Sequence, residues 1–226
     1  GWHASFYVLT GYCIVLLCSL LFLLPETLEK NHSFSLRILL SRYKAMMLSP
    51  IFLSASLICG LVYSCIVVFN TMAPFLIQDA LHFSAIKYGE MALLMGFAFF
   101  LGNTADRLLI NTQQQRRLLG ALSLMILGVL IGLYFIISAP MSLLHIVLPS
   151  FLIIGGSGMI FPYLYGSALR QFPDFSGTVS SVVTTLFILT ASSTSAICSR
   201  LTLNSQVPFI LLLTVMVALI SVIYYF

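Results

Sequence analysis

Charged residues are scarce in this chain. Only 7% of its 226 residues are charged, whereas 60% are hydrophobic, and the mean hydropathy is +1.10. A typical soluble domain carries about 25% charged residues, and a soluble fold needs polar surface that this composition cannot supply. The scarcity excludes the ordinary soluble enzyme, the disordered chain and the small disulfide-stabilised domain. It favours a polytopic membrane protein.

The motifs of catalysis, nucleotide binding and metal binding are also missing. The five cysteines form no CxxC pair and lie in apolar stretches, and the four histidines are scattered. The sequence contains no GxSxG, P-loop or HExxH motif, and no span carries a carboxylate pair. Its basic residues form no stripe with interleaved aromatics, which argues against nucleic acid as a partner. We therefore predict no enzymatic activity, no metal site and no cofactor.

Seven apolar runs are long enough to cross a bilayer as helices. About 20 residues are needed for a hydrocarbon core about 30 Å thick, and continuous runs favour helices over the short alternating strands of a membrane barrel. The predicted fold class is an all-α polytopic membrane protein with seven transmembrane helices. The predicted spans are residues 5–25, 50–77, 85–104, 118–138, 141–166, 177–199 and 207–226.

The basic residues are divided unevenly between the connections on the two sides. Two of them, Lys87 and Arg200, lie on one side and eight lie on the other. Cytoplasmic loops are enriched in Lys and Arg, so residue 1 is predicted outside and residue 226 in the cytoplasm. The eight cytoplasmic residues are Lys30, Arg37, Arg42, Lys44, Arg107, Arg116, Arg117 and Arg170.

The six spans that follow the polar stretch 26–49 divide into two similar triplets. The first span of each triplet contains proline, Pro74 in one and Pro149 and Pro162 in the other. The third span of each contains no charged residue. Such repetition is expected of transporters built from inverted three-helix repeats.

Few ionisable residues lie at membrane depth. Lys87 and Glu90 are one turn apart at the outer end of the third span, which is the spacing of an i,i+3 ion pair. We interpret them as an interfacial pair, and His145, just inside the outer end of the fifth span, as a capping or hydrogen-bonding residue. No charge lies at the middle of a span. The chain is therefore predicted to carry no proton acceptor of its own for transport.

Uncharged polar and small residues are the better candidates for a binding cavity. The sixth span has a serine and threonine face, and residues 155–158 of the fifth span, Gly-Gly-Ser-Gly, allow another helix to approach closely. Both features fit helix packing as well as a cavity lining. The face consists of Ser181, Thr184, Thr185, Ser192 and Ser195. A mixed wall with few polar anchors suits uncharged, amphipathic ligands. The predicted substrate-cavity residues are Tyr63, Asn70, Met72, Gly156 and Ser157.

An Asp-Arg pair stands at the cytoplasmic end of the third span, where it can hold neighbouring helices in one state. Gly102, Asp106 and Arg107 have the spacing G-x-x-x-D-R, and this stretch resembles the loop signature of the major facilitator superfamily. Leu109 and Ile110 stand where that signature usually has Gly and a basic residue. The resemblance implies that Gly102, Asp106 and Arg107 belong to a conformational-lock loop.

Three further stretches resemble the Bcr/CflA drug-efflux branch of the same superfamily. Residues 1–28 begin Gly-Trp and end in LPETL, residues 73–89 contain Ala-Pro-Phe followed by Phe-Ser and Gly, and residues 167–180 contain Ser-Ala-Leu followed by Phe-Pro and Gly-Thr-Val-Ser. The resemblance runs through all 226 residues in order. It implies that 1–25 is helix six of an amino-terminal half, 26–49 the central cytoplasmic loop, and 50–226 the six-helix carboxy-terminal half.

The resemblance also implies a function. It implies proton-coupled export of small lipophilic drugs by alternating access in a bacterial inner membrane, with the lipid bilayer, the substrate and protons as partners. On this interpretation the chain is a fragment without helices one to five, and it needs a separate amino-terminal half to transport. The alternatives are a seven-helix receptor, a transporter half for a non-drug metabolite, and an intramembrane enzyme. The receptor is disfavoured because the last span has no NPxxY motif, and the enzyme because clustered carboxylates or histidines are lacking.

Overall fold

The computed structural model divides the chain into two compact units, residues 1–41 and 42–226. The described residues are 2–23, 25, 36–138, 140–201 and 205–225. The predictions for both chain ends, for the LPETL stretch apart from Pro25, and for the first part of the central loop, 26–35, lie outside them.

Every described element is helical, and seven helices are long and apolar enough to cross a membrane. The all-α, seven-span fold class is therefore confirmed. The helices are α1 (Trp2–Leu23), α2 (Leu36–Met47), α3 (Pro50–Pro74), α4 (Ala85–Leu108), α5 (Gln114–Ser138), α6 (Leu143–Arg170), α7 (Ser176–Cys198) and α8 (Val207–Tyr225). A π-helical turn, Phe75–Ala80, continues α3, and a 3-10 turn, Pro173–Phe175, precedes α7.

The main differences from the predicted spans lie at the ends assigned to the cytoplasm. The third span was predicted to end at residue 104, but α4 continues to Leu108, and α5 begins at Gln114. Gly102, Asp106 and Arg107 therefore lie in a helix and not in a loop, and the connection is only 109–113. Hydropathy ends a span where polar residues begin, whereas a helix continues for as long as its backbone hydrogen bonds are made.

The second half of the stretch predicted as a loop forms the short helix α2. Its Met46 is fully buried, and the guanidinium of Arg42 lies 5.0 Å from the ring centre of Phe175. Just after α2, Ser49 Oγ caps α3 and donates to Gln171 Oε1 at 3.3 Å. These contacts fix the start of α3 against the connection between α6 and α7.

Helices α3 and α6 lie at the centre of the unit 42–226. They pack against each other, and each also packs against two helices of the other predicted triplet: α3 against α7 and α8, and α6 against α4 and α5. The first, proline-containing helix of each triplet thus lies at the centre. The second and third helices of each triplet pack against the first helix of the other triplet. This exchange is the arrangement expected of two similar three-helix units that interlock.

Pro74 accounts for the irregular end of α3. Proline has no N–H to donate to the carbonyl of Asn70, and its ring crowds the preceding turn. The chain responds with the π-helical turn Phe75–Ala80, a common way to accommodate such a disruption. A tight turn follows in which His82 has a φ of 58°. Together α3 and the π turn form one helical stretch of 31 residues, Pro50–Ala80.

Candidate functional site

Five partly exposed aromatic side chains from four helices form a cluster that we call the aromatic patch. They are Tyr63 of α3, Phe99 of α4, Phe161 and Tyr165 of α6, and Phe187 of α7. Phe161 lies at its centre, with its ring centre 5.8 Å from that of Phe187, 6.0 Å from Tyr165, and 6.4 Å from both Tyr63 and Phe99. Tyr63 and Phe187 are 5.2 Å apart. The tilted, stacked and edge-on geometries are those that aromatic pairs prefer.

The aromatic patch contains no charged side chain, and its two hydroxyl groups differ. The hydroxyl of Tyr165 lies 2.7 Å from Ser180 Oγ and forms a hydrogen bond with it. Tyr63 is 38% exposed, and its hydroxyl has no hydrogen bond to a described residue. The patch can therefore hold an apolar or aromatic ring by stacking and can offer it one hydroxyl group.

Helical phase separates the three predicted cavity residues of α3. Tyr63 and Asn70 are seven residues apart, lie on one face and are exposed. Met72 lies about 200° further around the helix than Asn70, and it is fully buried. A solute at the open face of α3 meets Tyr63 and Asn70 but not Met72.

The two predicted cavity residues of α6 are also inside the unit. A Cβ atom added to Gly156 would lie 2.5 Å from Met125 Cγ of α5. Ser157 is fully buried, and its hydroxyl donates to the carbonyl of Ile153 at 2.9 Å. In this conformation Gly156 and Ser157 pack helices together and do not line an open surface.

The predicted lock residue Asp106 forms an ion pair across the short connection between α4 and α5. Its Oδ1 lies 2.8 Å from Nη1 of Arg117, which also donates to the Asp106 carbonyl at 3.2 Å. The two side chains are only 17% and 11% exposed. The Arg117 guanidinium also lies 5.9 Å from the ring centre of Tyr163. Arg107 is exposed and forms no ion pair within the described residues. Sequence analysis assigned Arg117 only to the cytoplasmic charge bias.

Gly102 lies where α4 crosses α6. A Cβ atom at this position would overlap the carbonyl oxygen of Gly155, and a Cβ at Gly158 would overlap the carbonyl oxygen of Phe99. Only glycine allows the two backbones to come this close. Gly102 is thus a packing residue one turn before the ion pair of Asp106.

Two of the five residues of the polar face predicted for α7 hydrogen-bond to carbonyls of their own helix. Ser181 donates to the Thr178 carbonyl, and Thr185 donates to the Ser181 carbonyl, each at 2.8 Å. Besides the bond between Tyr165 and Ser180, α7 makes a second interhelical bond through two residues that sequence analysis did not single out. Thr194 Oγ1 of α7 donates to Ser64 Oγ of α3 at 3.1 Å, and both residues are buried.

The two remaining predicted features lie at the helix ends that the sequence assigned to the outside. The ion pair of Lys87 and Glu90 is confirmed, with Nζ and Oε2 separated by 2.8 Å. His145 was predicted to cap a helix or to hydrogen-bond a neighbour. Its ring instead stacks on Phe135, with ring centres 4.2 Å apart, and its buried Nδ1 has no hydrogen-bond partner.

A protein-family model described as Major Facilitator Superfamily matches residues 1–195. The matched residues include the aromatic patch, the ion pair of Asp106 and Arg117, and the crossing of α4 and α6. No curated protein matched the chain.

Proposed function

Because the chain belongs to the major facilitator superfamily of membrane transporters, we propose that it takes part in the export of small lipophilic drugs by alternating access. The observation that carries this proposal is the aromatic patch, whose five rings are partly exposed and carry no charge. A surface of this kind binds flat or bulky apolar solutes without selecting for charge. The family match does not favour a seven-helix receptor.

In the proposed mechanism the aromatic patch forms one wall of the transport cavity. Tyr63 and Asn70 lie on the same exposed face of α3, about 10 Å apart along the helix, so an elongated solute that stacks on Tyr63 can also reach the amide of Asn70. The opposite wall is a second helical half of the same family type, which also supplies the group that takes up the coupling proton. Rocking of the two halves then opens the cavity to each side in turn.

The ion pair of Asp106 and Arg117 is proposed to hold the cytoplasmic ends of α4 and α5 together. Gly102 keeps α4 against α6 one turn away, so this end moves as one block. Arg107 is exposed and outside that pair. It is therefore available to meet an acidic side chain of the second half in one state and to leave it in the other.

The proposed location is a bacterial inner membrane, with residue 1 outside and residue 226 in the cytoplasm. The support for the orientation is the distribution of the basic residues, eight of which lie on one side and two on the other.

The test is drug accumulation in a bacterium deficient in efflux. The chain is expressed alone and together with an amino-terminal half of the same family, and chloramphenicol and a lipophilic cationic dye are the probes. We expect lower accumulation only with the pair, and loss of the effect when a protonophore is added. If both proteins reach the membrane and neither probe is exported, the drug-export proposal is wrong.

A matched pair of variants tests the aromatic patch itself. Tyr63→Ala removes a ring of the patch, whereas Tyr134→Ala removes an exposed tyrosine outside it. Loss of one aromatic contact is worth about 0.5–1.5 kcal/mol, so Tyr63→Ala is expected to weaken export of both probes about 2- to 10-fold. Equal effects of the two variants would show that the patch is not the binding surface.

A further inference from the structure

An open groove of about 280 Å³ runs between α2 and the first half of α7. On α2 its wall is formed by Tyr43 and Met47, which are four residues apart and lie on one face of the helix. All of its lining residues belong to the compact unit 42–226, and we call it the α2–α7 groove. On α7 the wall is formed by Ser181, Val182, Thr185 and Leu186.

The wall of the α2–α7 groove is apolar. Met47, Val182 and Leu186 present only hydrocarbon and a thioether. The hydroxyls of Ser181 and Thr185 each donate to a carbonyl of their own helix at 2.8 Å, so neither donor is free for a ligand. The volume is also below that of pockets for drug-sized ligands, about 300–1,000 Å³. The groove therefore suits a slender hydrocarbon chain better than a bulky ring system.

The position of the α2–α7 groove along the spans corresponds to the lipid interface. Met47 lies three residues before Pro50, where a candidate membrane span begins. Ser181 and Leu186 follow the start of α7 at Ser176 by five and ten residues, which is roughly 7 and 15 Å along the helix. An amphipathic helix at a membrane surface buries its apolar face about 5–10 Å deep. The groove thus extends from the level of the lipid headgroups into the hydrocarbon.

Unpaired positive charge lies on the α2 side of the groove. Lys44 is exposed, and it is a neighbour of Met47 on the helix surface because it is three residues away. The hydroxyl of Tyr43 forms no hydrogen bond to a described residue. Residues 42–50 and 170–186 contain three basic side chains and one acidic one, and none of the four forms an ion pair within the described part of the chain. They are Arg42, Lys44, Arg170 and Asp174.

We propose that the α2–α7 groove binds an anionic phospholipid. The ammonium group of Lys44 and the hydroxyl of Tyr43 hold the phosphate, and one acyl chain lies along the apolar wall. Arg42 remains stacked on Phe175 and adds its charge to the local potential. In the orientation inferred from the basic residues, the lipid comes from the cytoplasmic leaflet, whose anionic headgroups attract Lys and Arg near the membrane surface.

The net charge of the headgroup decides which phospholipid binds. Phosphatidylcholine carries the same phosphate as phosphatidylglycerol, but its quaternary ammonium group brings a positive charge to a surface where basic residues already outnumber acidic ones. We therefore expect phosphatidylglycerol to bind better than phosphatidylcholine with the same acyl chains. Inorganic phosphate has no chain for the groove and is not expected to bind.

The test is the thermal unfolding midpoint of the full chain in a neutral detergent with added phosphatidylglycerol, phosphatidylcholine or inorganic phosphate. A ligand that binds only the folded chain raises the midpoint. We expect phosphatidylglycerol to raise it about 2–4 °C more than phosphatidylcholine does, the shift that one basic residue near anionic lipid gives in a chain of this size. Inorganic phosphate should leave it unchanged.

Two pairs of variants locate the bound lipid. Lys44→Gln removes the proposed phosphate contact, and Arg116→Gln removes an exposed charge of α5 outside the groove. Thr185→Trp fills the groove from an exposed position, and Ser193→Trp places the same side chain two turns further along α7. Lys44→Gln and Thr185→Trp are each expected to remove the difference between the two lipids, whereas the two controls keep it. If Thr185→Trp does not fold, Lys44→Gln and its control decide.

The proposal is overturned if phosphatidylcholine or inorganic phosphate raises the midpoint as much as phosphatidylglycerol does. It is also overturned if Lys44→Gln and Arg116→Gln have equal effects, because the lipid would then respond only to the overall charge. If Thr185→Trp keeps the lipid difference but no longer co-purifies with an amino-terminal half, the groove docks that half and not a lipid. These measurements need no transported solute, so they stand apart from the test of drug export.

Discussion

Two especially close helix pairs join the two triplets, α4 with α6 and α3 with α7, and the two pairs are built differently. Where α4 crosses α6, Gly102 faces the backbone of Gly155. Where α3 crosses α7, Gly60 faces the side chain of Thr190. A backbone contact cannot adjust by rotating a side chain, whereas a side-chain contact can. The comparison predicts that α4 and α6 are held together more rigidly than α3 and α7, because two of the three atoms nearest Gly60, Thr190 Oγ1 and Cγ2, move when the side chain rotates.

The pair of α3 and α7, which we call the adjustable pair, flanks the aromatic patch. Tyr63 is one turn from Gly60 on α3, and Phe187 is one turn from Thr190 on α7. The bond between Ser64 and Thr194 follows at the next turn. A small shift of α3 against α7 therefore changes the separation of the rings of Tyr63 and Phe187, which are 5.2 Å apart in this conformation.

The largest loss of stability is expected at the pair of α4 and α6, which we call the rigid pair. Gly102→Ala places a methyl group on the carbonyl oxygen of Gly155, and overpacking of this kind costs about 1–3 kcal/mol. We expect the upper end of that range, because neither backbone can move away. The measurement is the thermal unfolding midpoint in detergent.

Gly96→Ala is the matched control on the same helix, because nothing lies within 4 Å of the added atom. It should leave the midpoint unchanged or raise it slightly, since alanine is the better helix former. If both variants lower the midpoint equally, the close approach of α4 and α6 is not what restricts Gly102.

The next effect is expected at the ion pair beside the rigid pair. Asp106→Asn leaves Arg117, which is only 11% exposed, without its carboxylate. Breaking a fully buried pair costs about 3–5 kcal/mol, and partial exposure reduces this to about 2 kcal/mol. The double variant Asp106→Asn with Arg117→Gln should recover part of the loss in the same unfolding assay.

Glu90→Gln is the control for the ion pair. The pair of Lys87 and Glu90 has the same 2.8 Å distance, but its side chains are 39% and 54% exposed. Its loss should change the free energy of unfolding by about 0.5 kcal/mol or less. If Glu90→Gln destabilises the fold more than Asp106→Asn does, the pair of Asp106 and Arg117 is not the ion pair that stabilises it.

A smaller loss of stability, which a second substitution should partly reverse, is expected at the adjustable pair. An alanine Cβ at Gly60 would lie 2.7 Å from Thr190 Oγ1, so Gly60→Ala should destabilise the fold by about 1–2 kcal/mol. Addition of Thr190→Ala should restore part of the midpoint, because it removes Thr190 Oγ1 and Cγ2 but leaves Cβ, at 2.8 Å from the added atom. No side-chain truncation can rescue Gly102→Ala in this way. If the second substitution restores nothing, the contact at Gly60 is as rigid as the contact at Gly102.

The smallest effect is expected from the hydrogen bond between α3 and α7. Thr194→Val keeps the shape but removes the donor to Ser64, and interhelical hydrogen bonds in membranes average about 0.6 kcal/mol. Ser193→Ala, on the exposed face of the same helix, should have no effect on the unfolding midpoint. A loss above about 2 kcal/mol in Thr194→Val would mean that α3 and α7 are held rigidly as well.

The sequence predicted the seven spans well because a helix in lipid needs an uninterrupted apolar run. It failed at the ends that it assigned to the cytoplasm, where α4 continues into polar residues such as Asp106. It also missed most of the aromatic patch. Phe99, Phe161 and Phe187 lie on three different helices, and nothing in a single apolar run distinguishes a phenylalanine that meets others from one that faces lipid. The partner of Asp106 was missed for a related reason, because Arg117 lies on the far side of a turn.

The length of the helical stretch Pro50–Ala80 has a consequence for how it crosses the bilayer. Its 31 residues extend roughly 45 Å at about 1.5 Å per residue, whereas the hydrocarbon core is about 30 Å thick. At every ordinary tilt of a membrane helix, up to about 40°, the stretch is longer than the hydrocarbon is thick. It therefore joins the cap at Ser49, whose hydroxyl bonds to Gln171, to the turn at His82 by one continuous helical connection across the bilayer.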